Sequence, residues 1–193
     1  MLDSLQMAHA GTYRNASERK QQYPVVICKK GFRIALLNYT YGTNGIKVTA
    51  PNIVNYIDKE IILQDIRNAQ VHRPDAVIAI MHWGEEYQSL PDSNQRELAD
   101  WLLQQGVTHV IGAHPHVIQP MELRMNGNQQ HVIAYSLGNF ISNMQSPNTD
   151  GGLIFTLQLE KYPLPKPIPP RYSDKSHSPS LVPTTILFPY CRV

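Results

Sequence analysis

Only two cysteines occur in 193 residues, Cys28 and Cys191, and they stand too far apart for any zinc or disulfide spacing. A disulfide-stapled scaffold is therefore excluded. Long apolar runs are missing too, since no stretch approaches the roughly 20 residues of a membrane-spanning helix. An excess of one charge is equally absent. Seventeen basic residues face 15 acidic ones, a net charge of +2, which gives no general electrostatic grip on nucleic acid. The opening residues, Met1-Leu2-Asp3-Ser4-Leu5-Gln6, carry neither the basic nor the apolar region of a secretory signal. With Met1 taken as the start, the chain as written belongs in the cytoplasm. Three enzyme signatures are also lacking: the Gly-x-Ser-x-Gly elbow, the phosphate-binding P-loop and the His-Glu-x-x-His zinc motif.

What is present is enough apolar material, 42% of residues, to bury a core. Val25-Val26-Ile27-Cys28 and Phe32-Arg33-Ile34-Ala35-Leu36-Leu37 read as two strands joined by a Lys29-Lys30-Gly31 turn. A polar loop, Asn38 to Gly45, follows. From about Val54 to Gln70 apolar residues recur at helical spacing. Asp75-Ala76-Val77-Ile78-Ala79-Ile80-Met81 is continuously apolar, as expected of a strand covered on both faces. Asn94 and Glu97 suggest the start of a second helix, with Gly106 as its left-handed end. Thr108-His109-Val110-Ile111 then completes a strand–helix–strand crossover, whose strands should be parallel. Two more strands are expected at His131–Tyr135 and Gly152–Leu159, with an Asn126-Gly127-Asn128 turn before the first. The last segment, 162–193, holds eight of the 15 prolines and a charge of +3, leaving −1 on the rest. Its composition reads as a flexible, partly extended tail.

Histidines mark the ends of the crossover strands. His82 follows the strand ending at Met81, and His114 and His116 follow the one ending at Ile111. Parallel strands place these ends on one rim, where α/β sheets build their sites. Pro115 holds the residue before it extended, so His114 and His116 should point the same way. Neutral imidazole ligates zinc, manganese and iron. The three histidines are thus candidate metal ligands, whereas His9, His72, His109, His131 and His177 read as structural or exposed. Glu85 or Glu86 could orient an imidazole or simply be solvated, and Trp83 and Tyr87 could wall the site or pack beneath a loop.

Three blocks carry a resemblance: Met81-His82-Trp83-Gly84-Glu85-Glu86-Tyr87, Gly112-Ala113-His114-Pro115-His116-Val117-Ile118-Gln119-Pro120 and Tyr135-Ser136-Leu137-Gly138-Asn139-Phe140. In this order they are similar to the bacterial capsule-synthesis CapA/PgsA family. That family is associated with poly-γ-glutamate capsule production and belongs to the calcineurin-like metallophosphoesterase superfamily. The likeness runs from about His9-Ala10-Gly11 to Lys161. It implies an α/β fold, a two-sheet sandwich flanked by helices in four αββα layers, incomplete here at its N-terminal end. Residues 1–161 would form the C-terminal portion of that domain and 162–193 the proline-rich tail.

The resemblance also implies a two-metal site for divalent Mn, Fe or Zn. His82 and His114 would bind one ion and His116 the other, with Asn139 a candidate polar contact near them. The family's remaining ligands, an aspartate in a Gly-Asp motif and an Asn-Asn-His segment, are not found in this sequence, so the binuclear site is expected to be incomplete. The activity implied is metal-assisted hydrolysis of a phosphoester-type substrate or anionic polymer, alongside capsule-synthesis partners and without nucleic acid. The alternative is a non-catalytic scaffold or anionic-polymer-binding component, which the missing acidic ligands favour. Members of the family are often exported or membrane-anchored.

Overall fold

The computed structural model describes residues 2–5, 7–126 and 129–160. The proline-rich segment 162–193 lies outside the described residues, as do Gly127 and Asn128 of the expected turn. Among the described residues, eight strands and three helices run in the order β1 (Thr12–Tyr13), α1 (Ala16–Gln22), β2 (Val25–Lys29), β3 (Phe32–Thr40), β4 (Ile53–Val54), α2 (Lys59–Val71), β5 (Ala76–His82), α3 (Ser93–Gln104), β6 (His109–Ala113), β7 (Met121–Asn126) and β8 (Gln129–Ala134). Six strands form one mixed sheet in the order β2-β3-β5-β6-β8-β7, and β1 pairs with β4 in a second, small sheet. This is an α/β architecture of a large mixed sheet, a smaller sheet and three helices, in keeping with the incomplete two-sheet sandwich expected.

The four inner strands β3, β5, β6 and β8 are mutually parallel, and each edge is closed by an antiparallel hairpin partner. Parallel neighbours need a crossover, and α2 and α3 supply two of them. One face of the sheet alternates strictly. Ala35, Leu37 and Tyr39 of β3 stand opposite Val77, Ala79 and Met81 of β5, and all six are buried. Ile62, Ile66 and Ala69 of α2 and Leu98, Ala99 and Leu102 of α3 complete the same core. Each Val, Leu, Ile or Met side chain among these contributes about 1.5–3 kcal/mol on burial, and each alanine methyl less.

Two helix starts differ from expectation. The segment read as the first turn of a helix at Val54 is strand, because Ile53 and Val54 pair with Tyr13 and Thr12. The helix begins five residues later, where the Asp58 carboxylate accepts from the amides of Glu60 and Ile61. The second helix starts earlier than Asn94. Asp92 is its N-cap, and Gln95 closes a reciprocal capping box with it. The expected strand Gly152–Leu159 is also corrected. Leu153, Phe155, Leu157 and Leu159 are half-buried in alternation with exposed neighbours, but no ladder forms there among the described residues. Alternation selects a face, and a ladder needs a partner as well. The segment is fastened at its start, where Gly152 bridges Gly138 and Leu153 N donates to Leu137 O.

A buried polar cluster secures the end of β3. Arg19 of α1 pairs with Asp65 of α2 at 2.6 Å, and the Tyr39 hydroxyl donates to the same carboxylate oxygen at 2.9 Å. Arg19 Nε also donates to Asn55 Oδ1 at 2.7 Å. Burial and the neighbouring Asp65 charge push the Tyr39 phenol far above its ordinary range, so it stays a donor.

Farther along, His109 and His131 lie buried between β6 and β8. His109 Nδ1 accepts from Val132 N at 3.1 Å, and His131 Nδ1 donates to Thr108 O at 2.9 Å. Burial, assisted by His131, lowers the His109 pKa to about 4. Its ordinary value is near 6.5, so the unfolded chain binds the extra proton between those limits and acid favours unfolding. Stability should be complete above about pH 6.5 and fall by about 2–3 kcal/mol toward pH 4. Urea titrations at pH 7.5 and 4.5 measure this difference, and His109→Gln should shrink it.

Candidate metal centre

The site grows out of one row of the sheet. Thr40 stands opposite His82, and His82 opposite Ala113, so the C-terminal ends of β3, β5 and β6 finish level with one another. The ladder then continues into the loops. Tyr41 N donates to His82 O, Trp83 N to Ala113 O, and Tyr87 N to Pro115 O. Each departing segment is thus laid beside the next before it turns away.

Gly112 makes the close packing here tolerable. A Cβ at that position would collide with the carbonyl oxygen of Tyr135, which receives the Trp83 indole N–H at 2.9 Å. Leu137 N donates to Gly112 O at 3.2 Å, extending β8 alongside β6. The three sequence blocks are therefore neighbours in space. Trp83 is buried and stacked on Tyr135, so of the two readings for it, packing is the correct one. Tyr87 is half exposed and lies stacked 6.1 Å from the His116 ring, which puts it in the wall of the site.

His114 and His116 converge, but not through an extended backbone. His114 has φ +108° and His116 φ +62°, and Tyr87 across from them has φ +65°. The proline restriction led to an extended reading of His114, and the structure corrects it: a tight left-handed turn leaves β6 instead. Such conformations cost a non-glycine residue about 1–3 kcal/mol and persist where surrounding contacts impose them.

The ring centroids of His82 and His114 are 4.5 Å apart, and those of His114 and His116 are 6.0 Å apart. Tyr41 covers the first pair, 4.4 Å from His114 and 5.5 Å from His82. The ligand atoms that come together are those of Glu86, His114 and His116, all within 4.8 Å of one another. His82 sits beside this trio, with its Nδ1 2.9 Å from Thr40 Oγ1. Asn139 touches His116 directly, Oδ1 to Nδ1 at 2.9 Å. Burial lowers the pKa of His82, and the charges of His114 and His116 add to the effect. Burial likewise lowers that of His114, against the opposing pull of Glu86. Both imidazoles are held in the neutral form that ligation requires.

Glu86 reaches the trio through a fastened loop. Gly84, with φ +82°, turns tightly against Gln95, and a Cβ there would strike the Gln95 amide. Gln95 Nε2 donates to Gln119 Oε1 at 2.9 Å, and Gln119 Nε2 donates to Gln88 O at 2.9 Å and Leu90 O at 3.2 Å. This relay pins the stretch that follows Glu86. Sequence reasoning left Glu86 as an orienting or solvated group, and gave Thr40 no role beyond its place in a loop that could help shape a pocket. The only local signal for Glu86 was its place four residues after His82, behind a glycine turn.

Glu86, His114 and His116 fit a divalent cation. Glu86 Oε1 and His116 Nε2 are 3.8 Å apart, too far for a hydrogen bond. Two donors each about 2.1 Å from one ion lie no more than about 4.2 Å apart, so the gap suits a shared ion. Two imidazoles and a carboxylate are a donor set for Zn, Mn or Fe. No helix among the described residues is long and apolar enough to cross a membrane.

Comparison with known proteins places these residues in context. The chain is 32% identical over 161 residues to the PGA biosynthesis protein CapA of Bacillus subtilis (strain 168), covering 82% of this chain and 40% of that protein. It is 31% identical over 116 residues to the capsule biosynthesis protein CapA of Bacillus anthracis, covering 58% of this chain and 27% of that one. The chain thus spans well under half the length of these relatives. A hypothetical protein of Thermus thermophilus aligns in structure over 58% of this chain and 37% of its own, with 15% identity and a TM-score of 0.38. The family described as bacterial capsule synthesis protein PGA_cap matches residues 1–144. Three quarters of the chain lie within that match, including every residue of the cluster and Asn139, and the chain belongs to this bacterial capsule synthesis protein family.

Proposed function

We propose that the chain acts in capsule biosynthesis, of the poly-γ-glutamate kind, through a divalent-metal site that performs phosphoesterase-type hydrolysis. The convergence of Glu86, His114 and His116 carries this reading. Two of the three stand on left-handed residues, and strained backbone of this kind clusters at functional sites. An ion held there would supply Lewis acidity and neutralise charge on a phosphoryl or similar anionic group. His114 and His116 would be imidazole ligands, Glu86 the carboxylate ligand, and His82 a further imidazole at the margin. Tyr41 and Tyr87 flank the rings and narrow access for water. The substrate would be a phosphoester or an anionic polymer, and capsule-synthesis proteins would be the partners.

A second reading is favoured by the ligand count. The cluster contains one carboxylate, and the Gly-Asp and Asn-Asn-His ligands expected of a two-ion site are not in this sequence. In that reading the chain binds an anionic polymer, or serves as scaffold in a synthesis complex, without turning substrate over. Manganese-dependent hydrolysis of a simple phosphodiester supports the first reading. Retention of polyglutamate with no turnover of any phosphoester supports the second.

Zinc and manganese titrations should give about one ion per chain, with at least tenfold weaker binding in a His114→Ala, His116→Ala double variant and a smaller loss in Glu86→Gln. Equal occupancy in the unmodified chain and the double variant would sink the ligand assignment. The backbone strain gives a separate expectation. His114→Gly and His114→Ala should lose the same ligand, yet urea unfolding should find the glycine variant more stable by about 1–2 kcal/mol.

A further inference from the structure

Two hydrogen bonds at the margin of the cluster fix which nitrogen of each ring carries hydrogen. Thr40 ends β3, and its Oγ1 lies 2.9 Å from His82 Nδ1. A hydroxyl has one proton, and that of Thr40 goes to Gly42 O at 2.8 Å, because a carbonyl oxygen can only accept. Gly42 N donates back to the same hydroxyl oxygen at 3.3 Å. With its proton committed, Thr40 Oγ1 is an acceptor toward the imidazole, so His82 Nδ1 is the nitrogen that bears hydrogen.

Asn139 imposes the same choice on His116. Its Nδ2 donates to Thr149 O at 3.0 Å, which turns Oδ1 toward the ring, 2.9 Å from His116 Nδ1. An amide oxygen only accepts, so His116 Nδ1 must donate. A ring that donates through Nδ1 carries its lone pair, when it has one, on Nε2. For His116 that is the nitrogen facing Glu86 Oε1 across 3.8 Å. The two controlling groups come from separate elements, the end of β3 and the turn after β8, and both impose the same tautomer.

We propose that Thr40 and Asn139 are positioning residues that lock His82 and His116 as Nδ1–H tautomers, which leaves the Nε2 lone pair available to an ion on His116, within the trio, and on His82 at its margin. The proposal rests on the metal-binding reading above. Neutral imidazole free in water favours the opposite, Nε2–H form, so rings without these partners would present a protonated nitrogen to the ion. Partners of this kind typically set metal affinity by 10–100-fold through the ligand they orient.

Long-range proton–nitrogen correlation spectra of the full chain, labelled in histidine and free of metal at pH 8, read each tautomer directly. The expected result is Nδ1–H for both His82 and His116. Thr40→Val should turn His82 alone toward Nε2–H, and Asn139→Leu should turn His116 alone. Thr40→Ser and Asn139→Asp keep an acceptor and should keep the original tautomers. Zinc affinity by calorimetry should drop about 10–100-fold in the valine and leucine variants and be retained in the serine and aspartate ones. Nε2–H rings in the unmodified chain overturn the proposal, and that measurement depends on no variant folding. Valine and leucine variants with unchanged tautomers and unchanged zinc affinity overturn it as well. Nδ1–H rings in a chain that binds no zinc uphold the tautomer assignment and overturn the metal reading, so the two failures are distinguishable.

Discussion

The register row Thr40–His82–Ala113 is the constraint on which the rest depends. Parallel pairing brings three strand ends level, and everything chemical in the protein hangs from them within a few residues. A slip of one residue in β5 would send His82 to the other face and take Met81 out of the core. The apolar layer of Leu37, Ala79 and Val110 therefore does two things at once. It supplies stability, and it indexes the strands so that Thr40 meets the His82 ring.

Beyond the strand ends, direction is set by polar contacts. Apolar packing is non-directional, so it cannot by itself aim a loop. The Arg19–Asp65–Tyr39 cluster anchors the end of β3 with charges that cancel, and the Gln95–Gln119 relay anchors the loop after Glu86 with neutral amides. Neither fastener places an unbalanced buried charge beside the histidines. The pKa values of His82 and His114 are accordingly governed first by burial and only then by the cluster's own members.

Much of the strand framework was legible in local pattern. The continuous apolar run into His82 and the crossover through α3 emerge from spacing alone, and with them the shared rim for three histidines. The conformation of His114-Pro115-His116 was not legible. Residue preferences favour an extended form, and contacts with Tyr41, Tyr87 and Asn139 override them. Glu86 was missed because its position depends on Gly84 folding against Gln95, and on Gln119 twenty-four residues beyond Gln95. The contact of Thr40 with His82 was not legible because it exists only in the β3–β5 register. Helix starts were misjudged for a local reason: Asn94 and Val54 each satisfied a rule that Asp92 and Asp58 satisfied better, once Ile53 and Val54 had found strand partners.

The level strand ends also act as a ruler. Neighbouring strands in any sheet are about 4.7–4.9 Å apart, a distance fixed by amide hydrogen bonds. The His82 and His114 rings, which stand at the ends of the neighbouring strands β5 and β6, lie 4.5 Å apart, close to that pitch. The spacing of this one pair thus follows backbone chemistry rather than the identity of core residues. Volume-conserving replacements in the core can accumulate without changing the gauge, whereas a change of strand register alters it in whole steps.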